Sequence, residues 1–120
     1  MNNFRTLLAV IAFCLFIVFS SASFAAVPSR SVEIHAHRYA FAPSEITVKK
    51  GETVRLILIS DDVPHSLLVK DLGIDQVIQK SHPSQVTFTA SQAGNFHGRC
   101  GRFCGGGHGE MIFTVHVTGN

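Results

Sequence analysis

The chain has 120 residues, the length of one domain, with ten lysines and arginines against eight acids and no run of like charge. This balance argues against the strongly charged surfaces by which proteins bind nucleic acids or anionic membranes. No internal repeat or low-complexity segment divides the sequence further.

The first 25 residues have the pattern of a secretory signal peptide. Arg5 precedes an uncharged apolar run of 13 residues, 7–19, and Ser23-Phe24-Ala25 fits the small-x-small cleavage pattern. The run is shorter than the ~20 residues that a membrane helix needs. We therefore predict a cleaved signal over residues 1–25 and a mature domain over residues 26–120 that is periplasmic or secreted. The alternative is an uncleaved anchor that holds the domain at the membrane, facing the periplasm.

From residue 26 onward, short segments in which apolar and polar residues alternate are separated by turn residues, which is typical of β-strands. The segment 53–59 is largely apolar on both faces and predicts a central strand. The stretch 71–83 is irregular, and either a loop or a short helix fits it. The predicted strands are 32–41, 46–48, 54–59, 67–69, 86–90, 95–99 and 111–117.

Seven or so short strands, with turns every few residues, predict an all-β sandwich. No connection is long enough for a regular helical crossover, so we expect antiparallel connections and a Greek-key arrangement.

One glycine-rich segment, 99–111, carries four soft or borderline metal ligands. Beyond the signal the chain has two cysteines, Cys100 and Cys104, and His108 and Met111 follow them within a few residues. Thiolate and thioether ligands together favour copper. Zinc sites are built from other ligand sets, and iron–sulfur clusters need more cysteines. Exported cysteines can also form a disulfide, but this alternative leaves His108 and Met111 unexplained.

A further ligand is expected from another loop at the same end of the sandwich. His65 follows Pro64 just after the predicted central strand, and Pro64 stiffens the approach. The preceding Asp61 and Asp62 either cap this loop or orient His65. The five glycines of the cysteine segment are expected to let its backbone curl around a metal.

The pattern Cys-x3-Cys-x3-His-x2-Met, with Asp-x-x-His upstream, resembles the binuclear CuA site of cytochrome c oxidase subunit II and nitrous oxide reductase. Residues 63–66 resemble the subunit II segment around its first copper histidine, and residues 41–51 resemble the opening strands of many cupredoxins. The resemblance covers nearly all of residues 26–120 and implies a cupredoxin-like Greek-key β-sandwich of about seven or more strands.

The resemblance also implies a role for each ligand. The two cysteines would bridge two copper ions, and each of two histidines would cap one ion. Met111 would be the weak axial ligand of one ion, and the backbone carbonyl of Arg102 would be the weak ligand of the other. The family often has Glu at position 102, and the chain has no Trp and few clustered acids for a cytochrome-docking face. The implied metal set is His65, Cys100, Arg102, Cys104, His108 and Met111.

A single-copper site is the alternative to the binuclear one. Mononuclear blue copper needs two histidines, one cysteine and a weak axial methionine. His65, Cys104, His108 and Met111 supply that set and leave Cys100 unused. Such a spare exported thiol would be prone to oxidation.

Other histidines have less specific assignments. His35 and His37 share a strand face, where we expect surface histidines rather than an accessory copper contact. His97, three residues before Cys100, is a candidate for a hydrogen bond close to the metal.

These features predict an exported electron-transfer protein that makes and breaks no substrate bond, and hence is no enzyme on its own. Its partners would be a redox donor and acceptor, a cytochrome or a respiratory oxidase, with no small-molecule substrate and no nucleic acid. The alternative function is a periplasmic copper chaperone or scavenger, whose partner would be a copper-accepting protein. A third hypothesis makes the chain a subunit fragment through which electrons reach a cytochrome c oxidase. A membrane contact would come only through an uncleaved N-terminus.

Overall fold

The structure, a computed structural model, describes residues 22–24 and 26–119. The predicted signal peptide therefore lies outside the described residues except for 22–24. Within the described part of the chain, no helix is long and apolar enough to cross a membrane.

The described residues form nine strands and two short 3₁₀ turns. The predicted strand 32–41 is two strands, β1 (Arg30–His37) and β2 (Ala40–Ala42). The stretch left open as loop or helix holds most of the 3₁₀ turn Lys70–Leu72 and the strand β6 (Ile74–Ile78). Only the two isoleucines at the ends of β6 are fully buried. This strand therefore has little of the alternation of apolar and polar residues by which the other strands were predicted. The strands are β1 Arg30–His37, β2 Ala40–Ala42, β3 Glu45–Lys49, β4 Thr53–Ser60, β5 His65–Val69, β6 Ile74–Ile78, β7 Ser84–Thr89, β8 Gly94–Arg99 and β9 Ile112–Thr118, and the turns are Lys70–Leu72 and His108–Glu110.

The strands form two sheets, which confirms the predicted all-β sandwich. One sheet has the order β2-β1-β4-β7 and the other has the order β3-β9-β8-β5-β6. β4 lies between two neighbours, as the apolar character of both its faces predicted.

The expectation of antiparallel connections is wrong for two strand pairs. β1 pairs with β4 in parallel, and β3 pairs with β9 in parallel. A parallel pair normally needs a helical crossover. Here the chain instead passes from β1 through β2 into the opposite sheet as β3, and then returns as β4, so the second sheet takes the place of the helix.

The core lies between the sheets and is built from alternate residues of each strand. In β9, Phe113, Val115 and Val117 are buried on the face that was predicted from the sequence. The Phe113 ring meets the Phe41 ring of β2 edge-on, with centroids 5.9 Å apart at an interplanar angle of 69°. Each fully buried side chain of this size contributes roughly 1.5–3 kcal/mol through burial.

The topology brings the two predicted ligand loops to one end of the sandwich. β8 and β9 are antiparallel neighbours with Arg99 opposite Ile112, and the Cys100 N–H donates to the Met111 carbonyl over 3.1 Å. β5 pairs with β8 through Leu68 and Arg99, so the chain after Arg99 continues along the first half of β5 towards His65. The cysteine segment and His65 therefore share one set of rigid strand ends.

Candidate metal centre

Three buried side chains form the centre of the site. The sulfur atoms of Cys100 and Cys104 and a ring nitrogen of His65 all lie within 4.8 Å of one another. Their exposed fractions are 1%, 6% and 0%, respectively. Both cysteines are free thiols, so the disulfide considered from the sequence is not formed in this structure.

The other three predicted residues surround the two sulfur atoms. The Cys104 sulfur lies 3.4 Å from the Met111 sulfur and 3.9 Å from the His108 Nδ1. The Cys100 thiol donates to the Arg102 carbonyl oxygen over 3.0 Å. The structure thus brings all six predicted residues together, with a different set of neighbours around each sulfur.

Asp62 orients the His65 ring. Its Oδ1 lies 2.7 Å from the His65 Nε2, which places the imidazole proton on that nitrogen. The other ring nitrogen, Nδ1, is the only buried side-chain nitrogen or oxygen among the described residues that has no hydrogen-bond partner. A buried group left in that state costs about 1–3 kcal/mol, a cost that a bound metal would remove. Two buried thiols clustered with a histidine that has an unsatisfied ring nitrogen therefore fit a copper ion.

The same aspartate also caps the loop, so both roles considered from the sequence apply to it. The backbone N–H of Val63 donates to Oδ1 over 2.6 Å, and that of Arg38 donates to Oδ2 over 2.7 Å. Partial burial raises the pKa of Asp62, but the hydrogen bonds from His65 and from these two N–H groups outweigh it and lower the pKa to about 2. Asp62 is therefore a carboxylate at any physiological pH, and it keeps the His65 proton on Nε2.

The environment of Cys104 favours its neutral thiol form. Burial raises the pKa of the Cys104 thiol, and the neighbouring Cys100 raises it further, against a smaller opposing effect of the Arg38 charge. A metal that binds here must displace a proton from Cys104, because the thiolate is the ligand.

Three residues that were not singled out from the sequence hold the cysteine segment in place. Arg38 Nε donates to the Cys104 carbonyl over 2.7 Å. Ser66 Oγ accepts from the Gly101 N–H over 2.9 Å. The third, Tyr39, packs over the glycines that follow Cys104. Ser66 could have been suspected because it adjoins His65, but Arg38 lies 66 residues from its partner and has no motif around it.

The expected flexibility of the glycines explains only part of their presence. A Cβ atom at Gly105 or Gly107 would overlap the Tyr39 ring, and Gly105 also has a φ of +141°. Gly106 and Gly109 have open space at the same position. Two of the glycines are therefore required by the close approach of an aromatic ring, whereas the sequence suggested only freedom of the backbone.

Two other histidines that were considered from the sequence make their contacts at the surface. His35 Nδ1 is 2.7 Å from Asp61 Oδ1 and its Nε2 is 2.8 Å from Glu33 Oε1, so it is a surface histidine, as expected. The hydrogen bonds to Asp61 and then to Glu33 raise the pKa of His35. His97 was expected near the metal, but its ring is exposed and lies 3.2 Å from Thr114 Oγ1 on the outer face of the sheet.

Comparison with known proteins agrees with this architecture. The family described as the Cupredoxin-like domain matches residues 7–113. The chain belongs to the cupredoxin-like family. The fold resemblance drawn from residues 41–51 is thereby confirmed.

The relatives of this cupredoxin-like chain include cytochrome c oxidase subunit 2. A probable cytochrome c oxidase subunit 2 of Streptomyces avermitilis is 38% identical over 69 residues, which are 58% of this chain and 22% of that protein. The chain thus spans only about a fifth of that relative. The homology confirms the resemblance to subunit II that the spacing of the site residues indicated.

Two solved structures share the cupredoxin-like fold. The periplasmic domain of subunit II of cytochrome oxidase (CoxB) of Bradyrhizobium japonicum superposes with a TM-score of 0.73 at 15% identity, covering 81% of this chain and 89% of that domain. The same domain in a mixed disulfide intermediate with the thioredoxin-like protein TlpAs superposes with a TM-score of 0.68 at 14% identity, covering 82% and 88%. At these identities the likeness concerns the fold alone.

Proposed function

We propose that this cupredoxin-like protein is an exported one-electron carrier with a binuclear CuA-type copper centre. The observation that carries the proposal is the buried cluster of two free thiols and one imidazole, with ligand atoms within 4.8 Å of one another. Copper, when bound, supplies reversible one-electron chemistry. The protein residues supply ligands on rigid strand ends, which suit a site whose geometry must change little between oxidation states.

Each residue of the site has a distinct part in this proposal. Cys100 and Cys104 would hold copper through their thiolates, and His65 and His108 through one ring nitrogen each. Met111 and the Arg102 carbonyl would be the weaker ligands. Their positions support this assignment, because Met111 adjoins the Cys104 sulfur and the Arg102 carbonyl adjoins the Cys100 sulfur.

The burial of Cys100 favours two copper ions over one. A blue-copper site would use Cys104 as its thiolate ligand, and Cys100 would not be a ligand. Yet Cys100 is only 1% exposed and belongs to the same cluster as His65 and Cys104. A thiol kept this close to the other ligands is better explained as a bridging ligand.

The proposed setting is the periplasm or the outside of the cell, after cleavage of residues 1–25. The proposed partners are a cytochrome or a respiratory oxidase, since the curated relative is a probable oxidase subunit. A thioredoxin-like reductant is a further proposed partner. Its support is the mixed disulfide formed by the CoxB domain, and its task would be to keep Cys100 and Cys104 reduced for metal loading.

Two cysteine variants and copper counting test the proposal. We expect two copper ions per chain and an electron-spin-resonance spectrum of an electron shared between two ions. Cys100→Ser and Cys104→Ser should each abolish that spectrum, whereas Met111→Leu should retain copper and shift the potential, because the axial ligand tunes it.

Three results would each replace part of this proposal with one of the alternatives. One copper per chain, with a blue site that survives Cys100→Ser, would establish the mononuclear alternative. Labile Cu(I) that moves to an acceptor apoprotein, without reversible one-electron cycling, would establish the copper chaperone. Co-purification of the native protein with a membrane haem protein would establish the oxidase subunit.

A further inference from the structure

Positive charge is concentrated around the cysteine segment. Residues 26–120 contain nine lysines and arginines, all of the chain's ten except Arg5, and all eight acids. Four of these nine cations line two surface cavities that flank Cys100 along the chain, and no acid lines either cavity. The charge balance of the whole chain, near neutral, hides this separation. We call these four residues the cationic rim: Arg38, Lys70, Arg99 and Arg102.

The first cavity is lined by residues of the proposed metal centre, and the second by residues that precede Cys100 and follow Met111 in the chain. The first has a volume of about 250 Å³ and is lined by Arg38, Arg102 and Phe103 together with Cys104. The second has a volume of about 220 Å³ and includes Lys70 and Arg99, beside Cys100. Arg38 and Arg102 therefore lie at the metal centre, and Lys70 and Arg99 lie on the surface beside the strand ends that enter and leave the cysteine segment.

The rim charges are not neutralised within the protein. Among the described residues, none of the four makes an ion pair, in contrast to Arg30, whose Nε lies 2.7 Å from Glu52. Three acids lie near the rim: Asp62, which accepts from the Arg38 backbone N–H, Asp71, which follows Lys70 in the same turn, and Glu110 of the ligand loop. None of the three pairs with a rim side chain or lines either cavity.

Two exposed apolar side chains lie within this positive surface. Phe103 is 78% exposed, and its ring centroid is 5.8 Å from that of His108. Ile112, which follows Met111, is 49% exposed. Exposed aromatic and aliphatic groups inside a charged rim are the composition of a protein-binding surface.

We propose that the cationic rim docks an acidic one-electron redox protein, with Phe103 as the apolar contact over His108. The proposal rests on the proposed electron-carrier function and names the chemistry of its partner. Opposite charges would steer the partner to the metal end and accelerate encounter, and a basic partner would be repelled. One electron passes from the reduced to the oxidised centre in the docked pair, and no bond or proton is exchanged.

Small inorganic oxidants of opposite charge test the steering. The copper-loaded, reduced protein is mixed with ferricyanide, which becomes ferrocyanide, or with tris(phenanthroline)cobalt(III), which becomes the cobalt(II) complex. At low salt, Lys70→Gln/Arg99→Gln should lower the ferricyanide rate constant about tenfold and leave the cobalt rate constant unchanged or raised. Lys49→Gln/Lys50→Gln, which removes two charges at the opposite end of the sandwich, is the matched control and should change neither rate constant.

A protein-sized probe tests the docking itself. In an NMR titration of the Cu(I)-loaded protein at low salt, an acidic c-type cytochrome should shift the amide signals of 99–103, and a basic c-type cytochrome should not. Phe103→Ala should weaken the acidic complex. Shifts elsewhere, no shifts, or equal shifts with both cytochromes would overturn the inference.

The two proposals fail in different ways. A copper-loaded protein that neither oxidant can turn over contradicts the electron carrier. If both oxidants oxidise the protein, but the rim variant and the control variant change the rate constants equally, the protein is an electron carrier without this docking surface.

Discussion

At the scale of single residues, one carboxylate determines which nitrogen of His65 is free. The bond from Nε2 to Asp62 leaves Nδ1 buried and without a partner. The adjacent Asp61 instead accepts from His35 at the surface. Two neighbouring aspartates thus have different tasks, although the sequence offers no means of telling them apart.

Replacing Asp62 should weaken copper binding without removing a ligand. Asp62→Ala frees the His65 ring to rotate and to change its protonated nitrogen, so we expect copper affinity to fall about tenfold to a hundredfold. Asp62→Asn keeps an oxygen acceptor for Nε2 and should lose much less. Competition against a Cu(I) chelator measures both, and Asp61→Ala is the control that should leave affinity unchanged. An equal loss for all three variants would show that Asp62 has no specific part in orienting His65.

At the scale of elements, the cysteine segment is held by contacts from the turn between β1 and β2. Arg38 donates to the Cys104 carbonyl, and the Tyr39 ring lies against Gly105 and Gly107. The ligand loop is therefore supported from the four-stranded sheet, although the strands that enter and leave it belong to the other sheet.

Matched alanine substitutions should separate glycines that the packing requires from glycines that it does not. Gly107→Ala places a methyl group into the Tyr39 ring and should destabilise the protein by about 1–3 kcal/mol, the usual cost of overpacking. Gly106→Ala meets open space and should stay within about 0.5 kcal/mol of the parent. Urea unfolding of the metal-free chain measures both free energies. If the Tyr39 contact is the cause, Gly107→Ala should cost clearly less in a Tyr39→Ala background, and an unchanged cost would reject it.

At the scale of the whole molecule, the two sheets are joined by the aromatic contact between Phe41 and Phe113. Phe41 comes from β2 of one sheet and Phe113 from β9 of the other, and both are buried. Since β9 begins directly after Met111, this contact also anchors the strand that leaves the ligand loop.

Truncating Phe113 should therefore test the joint between the sheets. Phe113→Ala should lower the free energy of unfolding by about 3–5 kcal/mol, because it removes buried apolar area and leaves a cavity. Phe103→Ala removes the same ring from a side chain that is 78% exposed, and it should change stability by less than about 0.5 kcal/mol. Denaturant unfolding at a fixed metal state compares the two variants. Comparable losses would mean that the Phe113 ring contributes little to the joint between the sheets.

The sandwich and the four candidate ligands of the cysteine segment could be predicted from the residues because their signals are local, whereas Arg102 came only from the resemblance. Alternation in β4 and β9 follows from the two-residue period of a strand, and Cys100, Cys104, His108 and Met111 stand within one short loop. The loop spacing and the upstream His65 also carried the resemblance to subunit II, which the homology confirms.

The remaining features depend on contacts between residues far apart in the chain. The parallel pairs β1–β4 and β3–β9, the Tyr39 ring over the glycines and the separation of positive from negative charge are set by how the strands cross between the sheets. Such contacts produce no periodic pattern and no fixed spacing in the sequence, because the two partners meet only when the chain has folded. Local chemistry therefore indicated which residues could hold copper, and the packing of the sheets determined what orients, supports and surrounds them.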